Sequence, residues 1–230
     1  MTGNLAPFLD PASVAAYAGE TPKKVPGLVD LHRMTELLLA ERASRDGAAH
    51  MLVVGAGGGL EVRAMAQARP GWRFTGVDPS TAMLDLARQI VAPHADRVEL
   101  IAGTVDQAPL GPFDGATCLL TLHFLDGGER VRTLREIRRR LKPGRALVVV
   151  HHTAPDGDPE RWLARSAAFA DHAGSDPAKA AGSAKAMAAR LPLLSPAEEG
   201  AMLREAGFEE PALFYAAFSF RGWVATAGQS

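Results

Sequence analysis

An α/β fold built on a Rossmann-like, doubly wound sheet of seven strands is predicted by three observations. Apolar runs alternate with amphipathic helical patterns from His50 to His151. A glycine-dense turn, Gly55-Ala56-Gly57-Gly58-Gly59, joins the first such run to the first such helix. The chain closes with two β-rich runs in place of another βα unit. The alternation makes the sheet mostly parallel, and the closing pair reads as an antiparallel hairpin at its edge.

A short polar start leads through Pro26-Gly27 into an amphipathic helix over 28–44, with Leu31, Met34 and Leu38 three and four residues apart. Strand 50–54, helix 59–68, strand 72–77 and helix 80–91 follow, the last entered through Ser80 as N-cap. Strands over 97–102 and 114–121, a helix over 127–141 and a strand over 145–151 complete the alternation, with Lys142-Pro143-Gly144 as helix stop. Residues 153–194 break it, being rich in Ala, Gly, Pro, Asp and Ser, with two short helices over 158–172 and 177–190. Trp162, Leu163, Phe169 and Met187 recur there as apolar anchors, which marks an insertion and not a linker. Together with 1–45, this insertion is expected to form a helical cap that covers the cleft and chooses the substrate. Ser195-Pro196-Ala197-Glu198 opens a last helix to Ala206, Gly207 closes it, and strands over 208–215 and 218–225 end the fold.

The 230 residues, 47% of them hydrophobic, suit one core and a single domain over 1–230. A formal net charge of -1 gives no global attraction to nucleic acid or to an anionic membrane. The single cysteine, Cys118, lies in the apolar run ATCLLTL and is expected to be a buried thiol. The start, MTGNLAPFLDPAS, lacks a basic region followed by an apolar stretch, and no run is long enough to span a bilayer, so a cytoplasmic location is expected.

The chemistry gathers at strand ends. Gly55, Gly57 and Gly59 permit positive φ and close backbone approach, and the following helix presents free N–H groups. The dinucleotide pattern G-x-G-x-x-G fails at its third glycine, because Leu60 stands there, and with only Tyr17 and Tyr215 there is no Tyr-x-x-x-Lys pair. An NAD(P) oxidoreductase is therefore disfavoured. Asp78 ends the second strand, where a carboxylate can accept both hydroxyls of a ribose; the plainer alternative is that it caps the next helix with Ser80. The loops at Gly103-Thr104-Val105 and Leu119 to Phe124 converge on the same cleft. His123 is the candidate general base, the alternative being a ring that covers the cofactor or bonds to backbone. His151 and His152 alternate in direction along a strand, so no metal is expected from them. Arg130, Arg132, Arg135, Arg138, Arg139, Arg140, Lys142 and Arg145 read as a solvated basic face, with an RNA-contacting patch as the alternative.

The ordered set GAGGG, VDPSTAMLDLAR, LLTLHFL, ERVRTLREIRRRLKPGRALVVV and LREAGF with a closing hairpin resembles the class I S-adenosylmethionine (SAM) dependent methyltransferases over residues 12–226. VPG at 25–27, LTLHFL and AGFEEPALFYAAFSFRGWVA are similar to the carboxy-SAM synthase group of tRNA-modification enzymes. The resemblance implies SAM as cofactor, with backbone contacts from Gly55, Ala56 and Gly57, ribose on Asp78, adenine on Thr104 and Val105, and packing from Pro79 and Leu119. It implies methyl transfer to a small-molecule acceptor, without nucleic acid or membrane, and is compatible with a homodimer. Non-methyl use of SAM and a non-catalytic SAM-binding module are the alternatives. Four positions depart from the pattern: Val53 replaces a carboxylate that helps hold the SAM amino group, Thr104 an adenine-binding Asp, and Leu28 and Leu119 polar contacts. Met202 replaces the arginine that the synthase group uses for an extra carboxylate, which argues against carboxy-SAM.

Overall fold

The computed structural model describes residues 8, 10–44, 47–171 and 176–229. Parts of the expected cap, at 1–7, 9, 45–46 and 172–175, lie outside the described residues. The described strands are β1 (Ala49–Val54), β2 (Trp72–Asp78), β3 (Val98–Ala102), β4 (Gly115–Leu119), β5 (Ala146–His152), β6 (Phe208–Ala217) and β7 (Phe220–Ala227). They form one seven-stranded sheet in the order β3-β2-β1-β4-β5-β7-β6, parallel through β5 and antiparallel beyond it. The strand order reverses between β1 and β4, so the loops leaving those two strands diverge and open a crevice at the carboxyl edge.

Eight helices of the described residues cover the sheet: α1 (Pro11–Lys24), α2 (Leu28–Arg42), α3 (Leu60–Ala68), α4 (Thr81–Ile90), α5 (Gly127–Arg140), α6 (Pro159–Ala170), α7 (Pro177–Ala188) and α8 (Pro196–Glu205). Because side chains alternate along a strand, β1 feeds both layers. Leu52 and Val54 join Leu134 and Ile137 of α5 and Leu203 of α8, while Met51 and Val53 join Leu31 and Leu39 of α2 and Val62 and Met65 of α3. The helices start where their caps dictate: Ser80 accepts from the Met83 N–H, Asp126 from Glu129, and Ser195 forms a reciprocal capping box with Glu198.

Several expectations need correction. The short polar start is a helix: Asp10 caps α1 by accepting from the Ser13 N–H, and Pro11 occupies its first turn. β4 ends at Leu119, two residues early, because Leu120 adopts a left-handed φ of 57° that turns the chain out of the sheet. The closing hairpin is shifted by two residues, with Phe218-Ser219 as its turn and Phe218 at φ 51°, a conformation usually given to glycine. Of the hairpin's two strands only β6 is an edge; β7 inserts between it and β5.

The basic run on α5 is no solvated face. Arg130 and Arg140 are 0% and 2% exposed, and Arg130 donates to Glu199 at 2.8 Å and to the carbonyls of Leu125 and Pro192. Arg140 donates to the Ala108 carbonyl and to Glu136. Arg138 binds the carbonyls of Gly207 and Gly228, Arg132 holds Asp106, Lys142 holds Asp114, and Arg145 reaches the Arg42 carbonyl. These cations fasten loops and helices together, and only the outer ones, such as Arg135 and Arg139, face water.

Candidate active site

The glycine turn is stitched to β2 by its own backbone. The N–H groups of Gly55 and Ala56 both donate to the Val77 carbonyl at 2.9 Å. Gly55, Gly57 and Gly59 have φ of 76°, 51° and 80°, and a Cβ at Gly55 would run into the Thr121 side chain. The turn therefore holds its backbone open toward the crevice only as glycine.

Asp78 closes the turn from below. Its Oδ2 accepts from the Gly57 N–H and its Oδ1 from the Ser80 N–H, each at 2.9 Å. Each oxygen keeps a lone pair for a further donor. Burial pushes the Asp78 pKa up, and the two backbone bonds oppose that shift. Helix capping and ligand binding are thus compatible uses of one carboxylate.

One cavity joins most of the residues expected to bind a cofactor. Gly55, Gly57, Asp78, Pro79, Thr104, Val105 and Leu119 line it. Ala56 does not: its side chain is buried against the Gly76 position, and its N–H is committed to Val77. Thr104 is held by a capping box with Gln107, and its hydroxyl donates to Asp106 at 3.0 Å. Leu120, with its strained backbone, also faces the cavity, consistent with strain concentrating at working sites.

Of the remaining walls, Thr121 and Phe124 belong to the loop expected to converge on the cleft, whereas Phe8, Tyr17 and Arg132 were missed by reading the sequence. Phe8 and Tyr17 cover the cavity from the N-terminal side, and Thr121, Phe124 and Arg132 close the other. Tyr17 lies against the glycine turn, its hydroxyl 3.2 Å from where a Cβ of Gly57 would be. Burial, with smaller contributions from the nearby charges of Asp78 and Glu61, pushes its phenol up to about 12. Ser80 Oγ donates to the Phe8 carbonyl at 2.6 Å, tying this segment to the head of α4. The available signal was the Asp10-Pro11 cap, which marks a helix leading to Tyr17.

Glu61, in the first turn of α3, is a second carboxylate beside the turn. Burial raises its pKa to about 7, the nearby Thr117 hydroxyl opposes that shift, and neither its Oε1 nor Thr117 Oγ1 has a well-formed hydrogen bond among the described residues. Thr117 is the register partner of Val53 across β1 and β4. A helix carboxylate thus occupies the layer next to the position where the resemblance expects a strand carboxylate.

His123 does not line the cavity; it lies behind Phe124, with ring centroids 4.2 Å apart. Its Nδ1 accepts from the His152 N–H at 3.4 Å, and burial, reinforced by His152, His151 and Arg130, holds its pKa well below the usual value. His152 stands on the same side, its Nδ1 2.7 Å from Ser219 Oγ, which is 2.6 Å from Ser166 Oγ. His151 points the other way, with Nε2 2.9 Å from Glu199 and its ring against Trp223. Among the described residues no group of three or more His, Cys, Asp or Glu side chains is placed to hold a metal ion. Cys118 is buried and free, and burial raises its pKa.

A methyltransferase domain family matches this chain over residues 51–144, from β1 through the end of α5 and its following turn. Over that stretch the chain is similar to methyltransferase domains. The resemblance read from the sequence is borne out, as is the Rossmann-like sheet with its antiparallel close. The chain is 37% identical over 100 residues to the ribosomal RNA small subunit methyltransferase H of Thermobifida fusca, covering 43% of this chain and 29% of that protein. It is 28% identical over 159 residues to the carboxy-SAM synthase of Chromohalobacter salexigens, covering 67% of this chain and 58% of that one. The chain thus spans less than two thirds of the length of these curated relatives. Among solved structures, human N-acetylserotonin methyltransferase in complex with SAM superposes with a TM-score of 0.64 at 15% identity, covering 98% of this chain and 59% of that one. At that identity the likeness is one of fold.

Outside the matched stretch, the reading of Met202 needs correction. It is buried in the core between α8 and the sheet and does not line the cavity. Position 202 therefore carries no information about an extra carboxylate. The cation that does reach the cavity is Arg132, whose guanidinium is shared by Asp106 at 2.8 Å and Glu129 at 3.1 Å. No described helix is long and apolar enough to cross a membrane.

Proposed function

We propose that this chain is a SAM-dependent methyltransferase that acts on a small-molecule acceptor. The observation that carries the reading is Asp78, bound to the Gly57 N–H of the glycine turn and keeping one lone pair per oxygen toward the cavity. The cradle fits SAM: Gly55 and Gly57 offer backbone close to the ligand, Asp78 accepts from a ribose diol, and Thr104 and Val105 border the base. Pro79 and Leu119 supply apolar packing on either side. Bound there, SAM would supply a methyl group already activated by its sulfonium.

The chain's residues then have three tasks. Tyr17 and Phe8 cover the cavity and exclude water from it. The turn and Asp78 orient the ligand, which is the larger part of catalysis when the leaving group is already activated. The third, taking a proton from an alcohol or amine, falls to His123 only with Phe124 displaced, because that ring stands between it and the cavity. This reading involves neither nucleic acid nor membrane, and a homodimer is compatible with it. A cytoplasmic location belongs to the same proposal.

A thermal-shift panel with SAM, S-adenosylhomocysteine, carboxy-SAM and NAD tests it. SAM and S-adenosylhomocysteine should raise the Tm, since a ligand at a hundred times its Kd stabilises by about 2.7 kcal/mol. A shift with NAD alone, or a larger one with carboxy-SAM than with SAM, would replace the assignment.

A further inference from the structure

A second cavity, of about 420 Å³, opens over the end of β5 and the start of β7. That volume lies in the range of about 300–1,000 Å³ usual for small-molecule sites. Its floor is the pair His152 and Phe220, register partners across β5 and β7 whose rings stack with centroids 4.0 Å apart. Helices α6 and α7 wall it, chiefly through Ser166, Ala167, Ser183 and Met187. Lys24, at the end of α1, and the Lys179–Asp171 pair stand at its rim.

Two observations mark this cavity as built for a ligand. A buried chain of side chains, His152 to Ser219 to Ser166, runs beneath it, and two of its members line the cavity. The chain is satisfied within itself and ties the β6–β7 turn to α6, the Ser219 N–H donating to Ser166 Oγ at 3.3 Å, so what it leaves toward the cavity is one ring nitrogen. His152 Nδ1 is taken by Ser219, and its Nε2 has no partner among the described residues. Burial lowers the His152 pKa to about 3, so the ring is neutral and its Nε2 offers a hydrogen bond without charge. The rim, in contrast, is cationic. Lys179 Nζ is 3.3 Å from Asp171, whereas Lys24 has no carboxylate partner among the described residues.

The cavity also neighbours the first one. His152 lines it, His123 packs on His152 with centroids 4.9 Å apart, and Phe124, which packs on His123, lines the cofactor cavity. Three successive rings, His152, His123 and Phe124, separate the two spaces at the same edge of the sheet.

We propose that this second cavity binds a small hydroxy acid: an apolar body against Phe220 and Met187, a carboxylate toward Lys24, and a hydroxyl at the His152 end. The assignment rests on the cavity alone and not on the methyltransferase reading, since the rings of His123 and Phe124 stand between the two spaces.

A panel of hydroxy acids of six to twelve carbons, 4-hydroxyphenylacetate among them, paired with their methyl esters, tests it by calorimetry on the full chain. At least one acid should bind fivefold or more tightly than its ester. That preference should vanish in Lys24→Ala, persist in Lys24→Arg, and all binding should be lost in Ala167→Leu or Ser183→Leu, which fill the cavity. S-adenosylhomocysteine affinity should be unchanged in every variant, so its loss from the wild type would overturn the cofactor reading separately. Acids that bind no better than esters across the panel, or binding unaffected by both Lys24→Ala and the filling variants, would overturn the proposal.

Discussion

Asp78 and Glu61 are two carboxylates beside one glycine turn, and their surroundings give them different work. Asp78 receives two backbone N–H groups and faces the cavity, whereas Glu61 is fully buried with one oxygen unpartnered. Because burial raises the Glu61 pKa from 4.5 to about 7, the folded chain holds that proton more tightly than the unfolded chain does. Its stabilising contribution is therefore complete below its ordinary pKa and is lost as pH rises through about 7. Glu61→Gln should exceed the wild type in stability at pH 8 by about 1–3 kcal/mol and nearly match it at pH 5, as read by urea unfolding. An equal difference at both pH values would mean that Glu61 does not titrate in this window. At this scale the glycines and Asp78 were legible, because strained turns and strand-end carboxylates leave local marks. Tyr17 was not, because its role depends on a contact with the turn some forty residues away in sequence.

Elements were legible where the pattern was local. Alternating runs and capping residues placed the strands and helices of the parallel core, and Lys142-Pro143-Gly144 ended α5 as expected. Helix α1 was missed because it buries only Val14 and contains Pro22, so no apolar stripe announces it. The α5 arginines were misread because their partners are remote: Arg130 meets Glu199, 69 residues away. That pair, 0% and 1% exposed, ties α5 to α8, and His151 of β5 brings its Nε2 to 2.9 Å from the other Glu199 oxygen without a well-aligned hydrogen bond. Glu199→Ala should cost about 3–5 kcal/mol, since it leaves a buried guanidinium uncompensated, while leaving S-adenosylhomocysteine affinity of the folded protein intact. Unfolding midpoints within a few tenths of a molar of the wild type would show the triad to be dispensable.

For the whole molecule, the reversal of strand order between β1 and β4 is what places the cleft, and the N-terminal segment is what covers it. α1 packs against α4 and α6, bridging the βα core and the insertion. Because Tyr17 and Phe8 would contact the cofactor and few other parts of that segment are buried, amide exchange over 11–24 should slow when S-adenosylhomocysteine binds. Unchanged exchange there, with slowing only at the glycine turn, would remove the segment from the site. The insertion was legible as a break in alternation, but not its position: α6 and α7 wall the second cavity and not the first. Only the tertiary arrangement separates the two spaces.

The central claim is that Asp78 and the glycine turn form a SAM site, and titration of S-adenosylhomocysteine into wild-type protein and a folded Asp78→Ala variant measures it directly. A charge-assisted bond to a ribose diol is worth about 1.5–3 kcal/mol, so the variant should bind roughly tenfold to a hundredfold more weakly with its fold intact. Equal affinity in the two proteins, or no binding by the wild type, would contradict the account.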